Sequence, residues 1–246
     1  WNGTVGYGNR GTATVSRNGD LVHKMYVEYV QSNNDATATA NPGTALINTV
    51  ECEIGGQKID KHYGHWLETW YELTQQNSVG SQPTVADVAI NINAATSFTS
   101  FQRMSGAGGI KGATDTMERI FVPLQFWFCR NPGLALPLIA LQYHEVKLKL
   151  TTRGQFGLVN CTGTLDGSSL GTPSVDLYAD YIYLDTDERR RFAQVSHEYL
   201  IEQVQHQNLE GSTTTSLNFN HPVKEIIWTG APDSTTLTPA VLTGTF

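Results

Sequence analysis

Two stretches decide how this chain is read: IGGQKIDKHYGHWLETWYELT at residues 54–74 and VPLQFWFCRNPGLALPLIALQYHEV at residues 122–146. In the first, Ile59, Tyr63, Trp66, Leu67, Trp70 and Leu73 recur at three- and four-residue steps. That spacing predicts a helix with a broad apolar face. In the second, strand character over Arg119–Phe128 and again over Ile139–Thr151 is interrupted by Asn131-Pro132-Gly133 and Pro137. Proline cannot donate to a strand ladder, so the stretch reads as two strands around a break.

The flanking sequence extends the β pattern. Leu21, His23, Met25, Val27 and Tyr29 alternate with Val22, Lys24, Tyr26 and Glu28, the period of a strand. Asn18-Gly19 before them can take positive φ cheaply, so a tight reversal or corner is expected there. Residues 44–54 form a further strand ending at Gly55-Gly56, and Val175 to Leu184 another, rich in aromatics. A short helical turn is predicted after Asp185, with Asp187 and Glu188 at its positive end. Residues 197–207 and 214–229 read as strands again. The segments 31–43 and 75–117 are polar and turn-rich, which predicts elaborated loops, the second with a short helix near Val85–Ile90.

Composition agrees with an all-β protein. Aromatics make up 10% of the 246 residues, and β-branched and aromatic side chains suit a pleated, half-buried surface. Many strands, one inserted amphipathic helix and long loops fit a jelly-roll β-sandwich, whereas the βα alternation of parallel-sheet folds is missing. Charged residues are 16%, below the about 25% usual for soluble domains, which is compatible with surface covered by partners. A net charge of −7 without a basic stripe argues against a nucleic-acid binder. No apolar run approaches the about 20 residues of a membrane span, and no secretory signal opens the sequence. Cys52, Cys129 and Cys161 match neither a disulfide framework nor a metal spacing, so buried reduced thiols are expected.

Chemistry-bearing sets are few. His62, His65 and Glu68 would share one face of the predicted helix at metal-ligand spacing. The competing reading places these histidines, hydrogen-bonded, at the edge of an apolar stripe. His144 and Glu145, adjacent on a predicted strand, would point to opposite faces, one buried and one exposed. The glycines of SGAGG (105–109) have no Lys-Ser/Thr partner for a phosphate loop. Arg189-Arg190-Arg191 is offset by Asp185, Asp187 and Glu188, which predicts an ion-pair cluster between elements rather than a nucleic-acid site. Asn160 and Asn2 head glycosylation triplets. No catalytic residue and no cofactor is expected.

The stretches at 54–74 and 122–146 resemble two signatures of the major capsid proteins of nucleocytoplasmic large DNA viruses, and SRNGDL (16–21) and YIYLDTDERRRFAQV (181–195) are similar to two more. All four stand in the family's order. The resemblance implies a structural protein, not an enzyme: a double jelly roll that trimerises into pseudo-hexameric capsomers tiling an icosahedral shell. Its implied partners are copies of itself, neighbouring capsomers and minor capsid proteins, with no direct nucleic-acid contact and no membrane insertion, above an inner membrane. Its implied place is the virion shell, after assembly in the host cytoplasm. Residues 1–188 would then form the first barrel and 189–246 the start of a second. About 55 residues are too few for eight strands, so the chain is expected to be a partial one. Readings still open are a minor capsid or scaffold protein of the same fold, a carbohydrate-binding jelly roll, and a metal-dependent β-barrel enzyme using His62, His65 and Glu68.

Overall fold

The computed structural model describes residues 1–30, 42–75, 100–105, 119–154, 173–208, 214 and 216–229. The predicted helix near Val85–Ile90, most of both long loops, the glycines at 106–109, Asn160 and Cys161 lie outside the described residues.

In chain order the first elements are β1 (Arg10–Thr14), β2 (Leu21–Val30), α1 (Pro42–Leu46), β3 (Ile47–Ile54), β4 (Gln57–Tyr63) and α2 (Gly64–Thr74). There follow α3 (Ser100–Ser105), β5 (Ile120–Pro123), α4 (Trp127–Arg130), a 3-10 turn (Pro132–Leu134) and β6 (Leu136–Pro137). The series ends with β7 (Val146–Thr152), β8 (Ser174–Ile182) and α5 (Thr186–Gln194). All strand pairings are antiparallel. One sheet runs β1-β7-β3-β4. In the other, β2 pairs with β8 along one edge and with β5 and β6 along the opposite edge. The inward faces of both sheets contribute to one apolar core, the arrangement of an all-β jelly-roll sandwich.

Alternation assigns the faces. On β7, Val146, Leu148, Leu150 and Thr152 are buried while Lys147, Lys149 and Thr151 point away from the core. On β3, Ile47, Val50 and Cys52 all face inward, and a register shift between Ile47 and Thr49 makes the odd spacing possible. On β2, Met25, Val27 and Tyr29 are fully buried as the pattern predicts. Val22 and Glu28, expected on the opposite face, are buried too. Glu28 is closed over by Arg119, whose Nε lies 2.7 Å away.

Glycines mark the sharp reversals. Gly55 and Gly56 have φ of 59° and 85°, the double positive φ of a type I′ hairpin joining β3 to β4. The corner expected at Asn18-Gly19 is a bend over residues 18–20, between strands of different sheets, in which Gly19 does not use positive φ. A Cβ there would lie 2.7 Å from the Cβ of Tyr181, so glycine is required by close approach of two segments of the chain.

Three further expectations are corrected. The helix predicted from Ile59 begins only at Gly64, because residues 57–63 form β4 against β3. A Cβ on Gly64 would lie 2.2 Å from the carbonyl oxygen of Thr44, so the helix starts where its backbone is pressed against α1. Trp127–Arg130 is a helical turn packed on β2, not strand, and residues 138–144 turn before β7 begins at Val146. Residues 197–207 and 216–229 contain no regular strand.

By contact density the chain forms two units, Trp1–Gln203 and Val204–Phe246. In the second, the side-chain amide of Gln205 exchanges two hydrogen bonds with the backbone of Asn220, and that of Gln207 bonds Ser216 O and Asn218 N. A side-chain amide offers the same donor and acceptor as a peptide group, so these glutamines stand in for a strand ladder.

Glu68 ties α2 to α1. It is buried, accepts a 2.7 Å hydrogen bond from Thr44 Oγ1, and burial pushes its carboxyl up to about 7. Between its ordinary value of 4.5 and about 7, the folded chain holds a proton that the unfolded chain releases. Stability therefore falls as pH rises through that window and stays lower above it. Glu68→Gln keeps the acceptor and removes the titration. Urea unfolding should find the variant more stable than the parent at pH 8, by up to about 3 kcal/mol, with the two converging near pH 4.5. Parallel pH profiles for the two proteins would refute this account.

The core itself is tested at Leu150, fully buried where β7 runs between β1 and β3. Leu150→Ala should cost about 2–5 kcal/mol in the same urea assay. Lys149→Ala next to it should cost about 1 kcal/mol or less, because its side chain serves an ion pair facing away from the core.

Candidate functional site

The three residues weighed as metal ligands do not converge. His62 lies on β4 rather than on the helix, fully buried, with Nε2 2.8 Å from Asp60 Oδ2 and its ring stacked on Phe126 at 4.6 Å. His65, on α2, is exposed, with Nε2 3.2 Å from Arg153 Nη2. Glu68 turns toward Thr44. Among the described residues no group of three His, Cys, Asp or Glu side chains could hold a metal ion.

His144 and Glu145 are both exposed, which corrects the expectation that one is buried. They sit at the end of the turn before β7, where Glu145 pairs with Lys147 at 2.8 Å. Cys52 and Cys129 are buried and reduced, as expected. Burial pushes both thiols up, that of Cys129 to about 12, which leaves almost no nucleophilic thiolate. A cavity of about 380 Å³ opens between β2, β5, α2 and α3, lined in part by Lys24, Trp70, Tyr71, Phe101, Gln125 and Arg130. Aromatic and cationic groups line it, with no nucleophile beside a base.

The surface of the β1-β7-β3-β4 sheet is organised differently. On its outward face Glu51 stands opposite Lys149 and Glu53 opposite Lys147 in register. Arg10 and Lys61 reach Glu51 at 2.9 and 3.5 Å, and Lys149 reaches Glu53. Opposite charges facing each other on neighbouring strands support the pairing. The result is a mosaic of both signs, not the basic stripe that phosphates attract.

Of the predicted inter-element cluster, Arg189 makes a pair across elements, while the pair of Arg190 stays within α5. Arg189 Nη2 lies 2.9 Å from Asp20 Oδ2, and Arg190 pairs more loosely with Asp187 at 3.9 Å. The same Asp20 oxygen accepts the backbone N–H of Leu184 at 2.7 Å. The Leu184 bond, then the Arg189 guanidinium, hold this carboxyl below its usual range. The backbone of Asp20 completes the joint, donating to Ile182 O at 3.1 Å and accepting from Leu138 N at 3.0 Å. Residues from the 16–21, 122–146 and 181–195 stretches thus meet at one point. Sequence reasoning anticipated the arginine cluster but not Asp20 as its partner, which only the sheet pairing brings near.

Exposed aromatics complete the surface. Tyr143 is 93% exposed on the turn before β7, Tyr183 67% beyond β8, and Tyr178 50% on β8, where its ring meets Phe121 edge-on. Asn2 is exposed and pairs through its backbone with Thr12. Tyrosine is among the residue types enriched at protein–protein interfaces.

Comparison with known proteins agrees with this picture. A family model described as major capsid protein N-terminus matches residues 1–185, and one described as large eukaryotic DNA virus major capsid protein matches residues 188–239. The major capsid protein of Pyramimonas orientalis virus is 49% identical over 231 residues, covering 93% of this chain and 54% of that protein. That of Paramecium bursaria Chlorella virus 1 is 42% identical over 238 residues, covering 92% and 50%. The chain thus spans about half the length of these relatives. Among solved structures, the PBCV-1 VP54 crystal structure fitted into a reconstruction of the virophage Sputnik superposes with a TM-score of 0.65 at 40% identity, over 82% of this chain and 45% of that one. With a jelly-roll sandwich and a family model running through three quarters of its length, the chain belongs to the major capsid protein family of large eukaryotic DNA viruses.

Proposed function

We propose that this chain is the shell-forming part of a major capsid protein, a structural and non-enzymatic subunit of the virion of a large double-stranded DNA virus. The observation that carries the proposal is the unbroken succession of two capsid-family matches, over residues 1–185 and 188–239. In this reading residues 1–188 are the first jelly-roll domain and 189–246 the beginning of a second. The change of family model between residues 185 and 188 supports that division.

Three subunits, each with two similar barrels, give a capsomer with six roughly equivalent edges. Such a capsomer paves a nearly flat facet with one gene product. Its partners are copies of itself, neighbouring capsomers and minor capsid proteins. A charge mosaic on one sheet favours orientation-specific contact between copies, because like charges brought face to face are costly. The same mosaic disfavours direct nucleic-acid binding. No helix among the described residues is long and apolar enough to cross a membrane. Assembly takes place in the host cytoplasm and the product is the virion shell.

The test is the mass in solution of the complete protein that contains this chain. Sedimentation equilibrium should give a stable homotrimer, with a hexagonal outline in negative-stain images. A protein that stays strictly monomeric at high concentration would overturn the proposal.

A further inference from the structure

The short helix α1 is enclosed by its neighbours: α2, α3, β3 and β5 all pack against it. A Cβ on Gly64 would overlap the carbonyl oxygens of Thr44 and Ile47. One on Gly43 would lie 2.7 Å from Val122 and 2.8 Å from the Ser105 carbonyl oxygen. At these two points α1 is gripped too closely to admit a layer of water. Several connections start from the same place. Residues 31–41 lead into α1, 75–99 join α2 to α3, and 106–119 join α3 to β5.

Glu68 of α2 stands in this seam, 4% exposed, with Thr44 Oγ1 donating to its Oε2 at 2.7 Å. The charge that acts on its carboxyl is that of Glu72, of like sign. α1 has no ionisable side chain in its sequence PGTAL, nor has β5 in IFVP. The inward ionisable groups of β3 and β4 are Cys52, Asp60 and His62. Asp60 and His62 lie 2.8 Å from each other, and burial keeps the Cys52 thiol protonated. Glu51 and Glu53 of β3 face outward, toward Arg10, Lys61 and Lys149. On α2 itself His65 turns to Arg153 at 3.2 Å, and Tyr71 to Gln125.

We infer that the α1–α2 seam is a pH-operated latch, closed while the Glu68 carboxyl keeps its proton and opening locally, ahead of the sandwich, when that proton is lost. A buried carboxylate beside a like charge costs far more than a neutral, hydrogen-bonded carboxyl. Water cannot enter a seam gripped at Gly43 and Gly64, so the charge is relieved by α1 and α2 separating. The strands need not follow, because α1 is a single turn whose loss leaves both sheets paired. The seam lies wholly within residues 42–123, so its burial is supplied by the first unit alone. Burial places the titration in the neutral range, at about 7 when closed against 4.5 for an ordinary carboxyl. Opening therefore releases a proton, and its equilibrium constant rises about tenfold between pH 6 and pH 8.

Hydrogen–deuterium exchange of the complete protein that contains this chain tests the latch. After correction for the intrinsic pH dependence of amide exchange, protection of peptides covering 42–46 and 64–74 should fall about tenfold from pH 6 to pH 8. At pH 8 these peptides should exchange ahead of β7, and Glu68→Gln should hold their protection level across the range. Protection equal to that of β7 at both pH values would assign the titration to global unfolding and overturn the latch. So would a Glu68→Gln variant that keeps the parent's pH dependence. Should that variant fail to fold, the unaltered protein decides. A tenfold fall with α1 and α2 ahead of β7 supports the latch, and flat corrected protection refutes it.

Discussion

The sandwich depends on β2 being hydrogen-bonded along both edges. A strand in the interior cannot leave N–H and C=O groups unpaired, because each orphan carries a desolvation cost that water no longer offsets. β2 meets that demand with three partners. β8 runs along one edge from Leu21 to Val30, while β6 serves the first residues of the opposite edge and β5 the last. The break at Asn131-Pro132-Gly133 follows from this division. The chain must leave β5, turn through α4 and the 3-10 turn, and return to the same edge as β6. Met25, Val27 and Tyr29 then face the core together, and the Tyr29 hydroxyl finds its partner in Tyr7 at 2.8 Å.

The buried polar groups follow the same economy. Asp60 meets His62, Glu68 meets Thr44, Glu28 meets Arg119, and Asp20 meets Leu184 and Arg189. Most of these pairs join two elements, and among the described residues no three His, Cys, Asp or Glu side chains are grouped so that they could hold a metal ion. Removing one partner leaves a buried group unsatisfied, so such pairs specify which elements dock together more than they add net stability. A catalytic site needs convergence around a substrate atom. These residues are instead distributed along the seams of the fold, where each fixes how its neighbouring segments dock.

Legibility in the sequence followed burial. β7 has one face against the core, so its side chains alternate and its pattern could be read directly, whereas β2 kept the alternation of Met25, Val27 and Tyr29 although Val22 and Glu28 are buried too. The helix boundary at residue 64 could not, because Ile59 and Tyr63 on β4 continue by coincidence the three- and four-residue spacing of Trp66, Trp70 and Leu73 on α2. The run Phe126-Trp127-Phe128 is apolar throughout and buried throughout, so periodicity carries no information about its helical turn. Ile139 to Glu145 looks like strand by composition, yet Tyr143, His144 and Glu145 are exposed in a turn. The single helix face expected for His62, His65 and Glu68 is lost for the same reason as the helix boundary: His62 stands on β4, before the helix begins.

Asp20 shows where pattern reading stops and pairing takes over. Nothing local distinguishes it from any acid in a turn, since its partners stand 164 and 169 residues away in sequence. It becomes a joint only because β8 pairs antiparallel to β2, which places the end of one strand beside the start of the other. The same pairing explains Gly19, whose missing side chain makes room for Tyr181. The turn at 18–20, Leu138 after β6 and the start of α5 are thus held together by one antiparallel register. A single slip of β8 along β2 would reverse its faces and also carry Leu184 and Arg189 out of reach of Asp20. Register in the sheet and attachment of the segment beyond it are therefore one constraint, and the charge at Asp20 penalises any register that leaves it unpaired.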